Sequence, residues 1–367
     1  MQIIAWSIPG FMLFIGLEAW LARRRGRAIY HLPVALSDIA CGITQQLFNV
    51  LSFGLAVALY AWVYQFHFFE PSTAGVWLIG MIGVDFFYYW WHRASHEVNL
   101  LWASHIVHHH SEDYNLAVAL RQALLTNLSM VPFLLPLALL GVPPLVYAAC
   151  KGLNSLYQFW LHTELIGKLG AYERWFNTPS LHRVHHATNP QYLDRNYGGI
   201  LIVWDRLFGS HAPEEEPPIY GTTTPLRSLN PLWANLHYFG AIAGLAAGAT
   251  RWQDRLRAVF AHPGWRPPPA APAPLHARRE PRYEVPTSPA LTRYILVQAA
   301  LAVPATMLLI LHGLSLPPTV RVAGIACVAV GAVAWAGLLE RRRWGWPLEL
   351  LRVAASVAVL RVLFAGP

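Results

Sequence analysis

The chain of 367 residues is 55% hydrophobic and 13% aromatic, yet only 13% of its residues are charged. Soluble globular domains carry about 25% charged residues, so this composition excludes an ordinary soluble enzyme, and its large apolar content also excludes a disordered chain. The formal net charge is +8, but no aromatic-basic RNA-binding motif accompanies it, so we expect anionic lipid headgroups and no nucleic acid as partners.

Apolar segments near the length needed to cross a bilayer, about 20 residues, recur along the chain and predict a multi-pass helical membrane protein. The first segment has a long apolar core and no small-residue cleavage site, so it predicts an anchor and not a signal peptide. The fourth and fifth segments meet at the breaker sequence of residues 141–144, which predicts a helical hairpin. The eight predicted spans are residues 3–21, 43–64, 74–91, 123–141, 143–162, 291–312, 319–339 and 347–365.

The placement of arginine predicts the topology. If the first span ends in the cytoplasm, the arginines of residues 23–27 and 341–343 are cytoplasmic. The loops 65–73, 141–144 and 313–318 then face the other side, and none of them holds a lysine or arginine, as the positive-inside rule requires. We therefore expect the active site on the cytoplasmic side. The arginine bias and short loops favour a bacterial inner membrane, whereas in a eukaryote the same segments would suit the endoplasmic reticulum.

Histidines are concentrated in three short boxes. Two boxes follow the third predicted span, and the third lies in the less apolar region of residues 163–262. Residues three and four apart share one face of a helix, so each box can present two or three imidazoles to one point. Burying so many polar side chains near a membrane is costly unless each is coordinated or hydrogen-bonded. The boxes are His92 and His96; His105, His108 and His109; and His182, His185 and His186.

Eight imidazoles are too many for one metal ion but suit two ions about 3.5–4 Å apart. Imidazole binds iron, zinc and copper, so the spacing alone does not identify the metal. The predicted fold is an all-α, polytopic membrane helical bundle with a cytoplasmic helical cap, residues 163–262, and the cap and bundle together carry the histidine site. The proline-rich residues 263–289 predict a linker, and three spans follow it.

The boxes belong to a wider set of motifs that resembles the fatty acid hydroxylase (sterol desaturase) superfamily, and most closely its alkylglycerol monooxygenase branch. Only eight residues separate His96 from His105. This distinguishes the group from acyl-CoA desaturases, which have a long membrane hairpin between their first two boxes. The motifs that carry the resemblance are residues 85–99, 111–116, 119–122, 158–164, 196–198 and 204–209, within a matching region of about residues 75–240.

The resemblance implies a non-haem di-iron centre that uses O2 to hydroxylate, oxidatively cleave or desaturate a membrane lipid. A fatty acyl chain, a sterol, an alkylglycerol ether and a carotenoid all remain open as substrates. Two iron ions are implied, with tetrahydrobiopterin or another external electron donor. His110 departs from the family pattern, which has a small polar residue there, so we leave it out of the ligand set. The implied ligands are the eight box histidines together with His162, which matches a further family histidine.

Several acidic and basic residues near the boxes are candidates for supporting roles. Asp85 lies seven residues before His92 on the same helix face, so it could orient an imidazole or be a polar residue near the headgroups. Asp85 is also a candidate catalytic residue, together with Glu97 and Asp113, for which solvated or helix-capping acids are the alternative. Arg121 and Glu112 are candidates for binding a cofactor such as a pterin. For Arg121, an interfacial residue at the end of the fourth span is an equal alternative.

These expectations divide the chain into a catalytic domain of residues 1–262, the linker and a C-terminal three-helix segment of residues 290–367. A slot for the lipid is expected beside the histidines. A second hypothesis is a zinc-handling transporter or non-catalytic scaffold, which predicts polar residues spread through several spans along a path. The residues expected to line the slot are Phe86, Phe87, Tyr88, Trp90, Trp91 and Trp160.

Overall fold

The computed structural model describes residues 2–267 and 281–364, and it confirms the all-α class. Within those residues, β-type pairing is limited to two isolated bridges, Phe176 with Leu201 and Ala187 with Tyr220. The helices are α1 (Gln2–Arg24), α2 (Leu32–Tyr64), α3 (Thr73–Glu97), α4 (Asn99–Ala103), α5 (Ile106–His109), α6 (Thr126–Leu139), α7 (Pro144–Phe159), α8 (Pro179–His185), α9 (Val203–Leu207), α10 (Pro231–Gly248), α11 (Trp252–Phe260), α12 (Pro289–His312), α13 (Pro318–Leu339) and α14 (Gly345–Phe364).

A helix forms at each of the eight predicted spans, but only four of them, α1, α2, α12 and α13, are long and apolar enough to cross a membrane. This supports a multi-pass membrane protein and corrects the expectation of eight complete spans. The other four helices fall short for physical reasons. Helices α6 and α7 have 14 and 16 residues, shorter than a bilayer requires, and α3 and α14 carry several charged or histidine side chains.

The C-terminal helices pack against the N-terminal ones. One apolar core joins Ala5 of α1 and Leu36 of α2 to Ile295 of α12 and Trp335 of α13. Helix α14 packs along α13. Residues 283–339 therefore share a core with α1 and α2, whereas residues 268–280 of the predicted linker lie outside the described residues.

A second core holds α3 against the hairpin of α6 and α7. The predicted hairpin is confirmed, and its turn depends on Gly141, which has φ +77°. A Cβ there would lie 2.1 Å from the carbonyl oxygen of Phe69, so only glycine fits. The hydroxyl of Tyr60 on α2 donates to the carbonyl of Val142 at 3.0 Å and fastens the same turn.

The cap is less helical than expected. Between residues 163 and 230 the longest α-helix is α8, with seven residues, and most of the backbone is irregular. Hydrogen bonds from side chains, and not helical backbone hydrogen bonds, stabilise this part of the chain. Arg183 donates to the carbonyls of Thr163 and Ile166 and pairs with Glu214 at 2.7 Å. The physical reason is that this region lacks the apolar periodicity that would bury one face of a long helix.

Candidate metal centre

The fold brings all nine predicted histidine ligands together. His92 and His96 lie on the last turns of α3, the second box forms α5 and its first flanking residue, and His162 follows α7. In each of two groups, every residue offers a ligand atom within 4.8 Å of the others, and all nine side chains are buried. The first group is His92, His96, His105, His109 and His185, and the second is His108, His162, His182 and His186.

Ring nitrogens converge within each group. In the first, Nε2 of His105 lies 3.0 Å from Nε2 of His92 and 3.1 Å from Nε2 of His109. In the second, Nε2 of His162 lies 3.2 Å from Nε2 of His108 and 3.1 Å from Nε2 of His182. Each group therefore directs several nitrogens at one point.

Backbone carbonyls determine which nitrogen of several rings carries the proton. Nδ1 of His108 donates to the carbonyl of Arg121 at 2.8 Å, and Nδ1 of His162 donates to the carbonyl of Gln158 at 2.9 Å. A carbonyl only accepts, so Nε2 of each neutral ring carries a lone pair. His92 and His185 are held in the same way, by the carbonyls of Tyr197 and Arg195. This arrangement, with Nδ1–H anchored and Nε2 free, is the usual one for a metal-binding histidine.

The remaining nitrogens also indicate a metal. Nε2 of His96, His185 and His186 is buried without a hydrogen-bond partner among the described residues. Burial also lowers the pKa of His185 and His186, because the surroundings disfavour the charged form. The pKa of His108 falls to about 4, and that of His105 falls well below its ordinary value. Neutral imidazoles with unpaired, buried nitrogens fit two metal ions, one in each group.

Asp85 lies beside the site but does not hold an imidazole. Its carboxylate accepts from the backbone N–H groups of Ile200 and Leu201, at 2.7 and 3.0 Å, and from Nδ2 of Asn154 at 2.9 Å. It also accepts from the indole of Trp204. The expected direct contact with an imidazole is therefore not made among the described residues. Asp85 instead ties α3 and α7 to the segment that follows Tyr197.

The other two predicted catalytic acids, Glu97 and Asp113, are engaged elsewhere. Glu97 is exposed and pairs with Arg93 at 2.8 Å, one helical turn away. Asp113 is buried, and its carboxylate accepts from His31 and pairs with Arg282 at 2.8 Å. Within the part of the chain that the structure describes, neither carboxylate bonds to a histidine of the two groups, so their catalytic roles stay predictions.

The contacts of the two predicted cofactor residues do not favour that role. The guanidinium of Arg121 is buried, donates to the carbonyl of Val107 and pairs with Asp38 at 3.0 Å. A buried cation needs such partners, and these leave it inside the protein and not at an interface. Glu112 accepts from the backbone N–H of Tyr283 at 2.9 Å. Arg121 nevertheless serves the centre, because its carbonyl holds His108.

Two aspartates outside the predicted site support it. Asp194 has the left-handed φ of 59°, and its carboxylate lies 3.7 Å from Nδ1 of His96 and 3.1 Å from Nε2 of His262. Asp205 accepts from the backbone N–H groups of Tyr197 and Gly198, both at 2.7 Å, and burial raises its pKa to about 6. In the sequence, Asp194 lies two residues before the motif of residues 196–198, and Asp205 lies within the motif of residues 204–209.

A cavity of about 300 Å³ opens from the histidines into the bundle. His105, His108 and His162 form one end of it, and Tyr88 and Trp91 line it as expected. The other four expected slot residues are not among its walls. Phe86 and Trp90 face the other way, against Trp204 and Phe208, and Trp160 packs on Tyr157. The remaining walls come mainly from α1, α2, α6 and α7.

Comparison with known proteins agrees with this site. The fatty acid hydroxylase family model matches residues 77–210. Alkylglycerol monooxygenase of Danio rerio is 35% identical over 90% of this chain and 76% of its own length. The Homo sapiens enzyme of the same name is 39% identical over 71% of this chain and 59% of its own length. Ornithine lipid hydroxylase of Rhizobium tropici is 30% identical over 44% of this chain and 51% of its own length.

No solved structure matches the chain. The family model covers the first two histidine boxes, His162 and the third box, and the similarity to the Danio rerio enzyme continues over most of the remaining chain. The resemblance expected from the motifs is therefore confirmed. The chain belongs to the alkylglycerol monooxygenase branch of the fatty acid hydroxylase family, a family of membrane lipid hydroxylases.

Proposed function

We propose that this protein is an O2-dependent monooxygenase that holds two iron ions in its two histidine groups and oxidises an ether lipid of the alkylglycerol class. The observation that carries the proposal is the division of nine buried histidines into two groups with converging nitrogens. The names of the most similar relatives support the substrate class.

When bound, the irons would supply the activation of O2, and the chain's own residues do the rest. The carbonyls of Tyr197, Arg121 and Gln158 fix the orientation of three imidazoles, and the buried setting excludes bulk water. In the overall reaction one oxygen atom enters a C–H bond and the other leaves as water. This consumes two electrons from an external donor and two protons.

We propose tetrahydrobiopterin or another external two-electron donor as the reductant, because of the similarity to this branch. We also propose that the site faces the cytoplasm. Arg27 of the arginine-rich segment pairs with Glu164 at 2.8 Å, two residues after His162, so the centre and these arginines lie at the same end of the bundle. By the positive-inside rule this supports the cytoplasmic side. Our reason to propose a bacterial inner membrane is the arginine bias and the short loops of the chain.

The transporter hypothesis is not favoured. It needs polar side chains distributed along a path, whereas the nine histidines gather at one end of the bundle. The buried charged pair of the C-terminal helices, Glu349 and Arg352, is satisfied internally and also bonds to Tyr294 and Gln298. Relatives named as monooxygenases and hydroxylases also favour an enzyme over a transporter.

The test combines metal content with turnover. We expect protein purified from iron-supplemented cells to contain about two irons per chain. Supplied with O2, a reduced pterin and 1-O-hexadecylglycerol, it should hydroxylate the carbon next to the ether oxygen. The resulting hemiacetal breaks into an aldehyde and glycerol, so one aldehyde should form per O2 consumed. Zinc as the sole bound metal, or iron-loaded protein without O2 uptake on any ether lipid, would overturn the proposal.

A further inference from the structure

We propose that Lys151 forms a binding site for an anionic group, a phosphate or a carboxylate, on the lipid that occupies the cavity. The proposal deepens the proposed function, because it specifies the headgroup of the substrate. Lys151 lies on α7 and lines the cavity that opens from the histidines. It is one of only two lysines in the chain, among 27 basic residues.

The ammonium group of Lys151 has no counter-charge in the described part of the chain. Its hydrogen-bond partner there is the side-chain oxygen of Asn127 on α6, at 2.7 Å, and no carboxylate of the described residues forms an ion pair with it. An ammonium carries three donors, so this single bond leaves donor capacity for a ligand in the cavity that Lys151 lines. A charged group inside a membrane bundle is expensive without a partner, and such a residue usually marks a functional site.

The ammonium reaches the metal end of the cavity. Lys151 is eight residues before the end of α7, about 12 Å along the helix, but its long side chain extends to Asn127. Asn127 follows Thr126, whose hydroxyl donates to the carbonyl of Ser104, the residue before the ligand His105. The charge therefore lies at the level where α6 begins, close to the histidines that end the cavity.

The rest of the cavity suits the remainder of such a lipid. Gln46 and Asn49 of α2 add polar groups to the walls, whereas Val57 of α2 and Val131 of α6 are among the apolar residues farther along it. A lipid with its headgroup at Lys151 would direct its chain along these apolar walls. The carbons near the headgroup would then lie beside the metal end, which agrees with oxidation next to an ether oxygen.

The alternative is that Lys151 only joins α7 to α6 through Asn127. The two roles predict different binding affinities for anionic and neutral ligands. A charge-assisted hydrogen bond favours an anionic ligand over a neutral one of the same shape by about tenfold or more, whereas a purely structural bond favours neither.

The experiment measures binding to the iron-loaded protein without reductant, so that no turnover occurs. The probes are 1-O-hexadecylglycerol, its 3-phosphate and palmitate, titrated by calorimetry in a neutral detergent. The variants are Lys151→Met and Lys151→Arg. Lys168→Met, at the exposed lysine of the cap, is the matched control. Iron content and monodispersity are measured for every variant, to show that each one is folded.

We expect the wild-type protein to bind at least one anionic probe about tenfold more tightly than the neutral one. Lys151→Met should remove that preference, and Lys151→Arg and Lys168→Met should keep it. A preference for the 3-phosphate alone would identify phosphate as the ligand, and one for palmitate alone would identify carboxylate. If Lys151→Met lost affinity equally for all three probes, or kept the preference for an anionic probe, the proposal would be overturned. Iron content and ether cleavage test the proposed function separately.

Discussion

His108 and His162 meet in a way that two neutral imidazoles cannot satisfy alone. Both rings donate Nδ1–H to backbone carbonyls, so both Nε2 atoms carry lone pairs, and these atoms are 3.2 Å apart. Two lone pairs at that distance repel unless a proton or a cation lies between them. Burial opposes a proton, since it holds the pKa of His108 at about 4. A bound cation resolves the conflict.

Replacing His108 by Ala should therefore lower the iron content and abolish turnover, while the protein stays folded because its helices are held by apolar packing. His110→Ala is the matched control. His110 is buried close by, but it belongs to neither histidine group, so this variant should keep both irons. Iron analysis by mass spectrometry and O2 uptake measure both effects. Full turnover by His108→Ala would contradict the di-iron assignment.

At the scale of the element, the loop of residues 196–202 connects α3 to the centre. Its Tyr197 carbonyl fixes His92, and two carboxylates hold the loop, Asp205 from α9 and Asp85 from α3. A buried carboxylate that accepts several N–H groups contributes about 1–3 kcal/mol, because its loss leaves those donors unpaired. The loop keeps its shape through these bonds and not through regular secondary structure.

Asp85→Asn should loosen this loop. Ile200 and Leu201 donate to different oxygens of the carboxylate, so the NH2 of an asparagine would face one of these two N–H groups and leave it without an acceptor. We expect a loss of about 1–3 kcal/mol in stability, together with faster hydrogen exchange at residues 196–202 and weaker iron binding. Glu97→Gln, on the same helix but exposed, should change stability by less than about 0.5 kcal/mol. If Glu97→Gln abolished turnover with iron intact, Glu97 would be catalytic after all.

Helix α2 provides much of the cavity wall, and its small residues set the space for the lipid chain. Ala56 lines the cavity well along α2 from the metal end. Ala56→Phe should therefore shorten the longest ether chain that is oxidised, without loss of iron. Phe86→Ala is the control, since Phe86 faces Trp204 and not the cavity. Turnover of alkylglycerols of graded chain length measures the effect, and an unchanged profile in Ala56→Phe would place the chain elsewhere.

The histidine motifs were readable from the sequence because the boxes are short and their spacing follows a helix turn. The division of the nine histidines into two groups could not be predicted from the sequence. It separates the neighbours His108 and His109, and it depends on how α5, α7 and α8 meet. The partners of Asp85 were missed for a similar reason. Its helix spacing from His92 suggested a local contact, whereas the carboxylate bonds to a loop more than 100 residues away. Tertiary contacts decide both features.

At the scale of the whole molecule, the C-terminal part of the chain contributes to the cavity through α12 and lies near the second histidine box through Arg282, which precedes α12. Val303 and Thr306 of α12 belong to the cavity walls. Arg282 pairs with Asp113 at 2.8 Å, four residues after the ligand His109. The predicted division at residue 262 therefore separates the ligands from part of the wall around the substrate.

A protein truncated near Pro263 should still bind about two irons, because all nine histidines precede that point and their anchoring carbonyls do too. It should lose most of its lipid binding and turnover, because the wall from α12 is missing and the cavity opens. The control is the full-length protein with a protease site inserted between residues 267 and 281. Cleavage there breaks the backbone but leaves all the helices present. The cut protein should retain turnover, since packing of α12 and α13 on α2 holds the pieces together. Loss of iron from a folded, monodisperse truncated protein would show instead that the C-terminal helices help to build the metal centre.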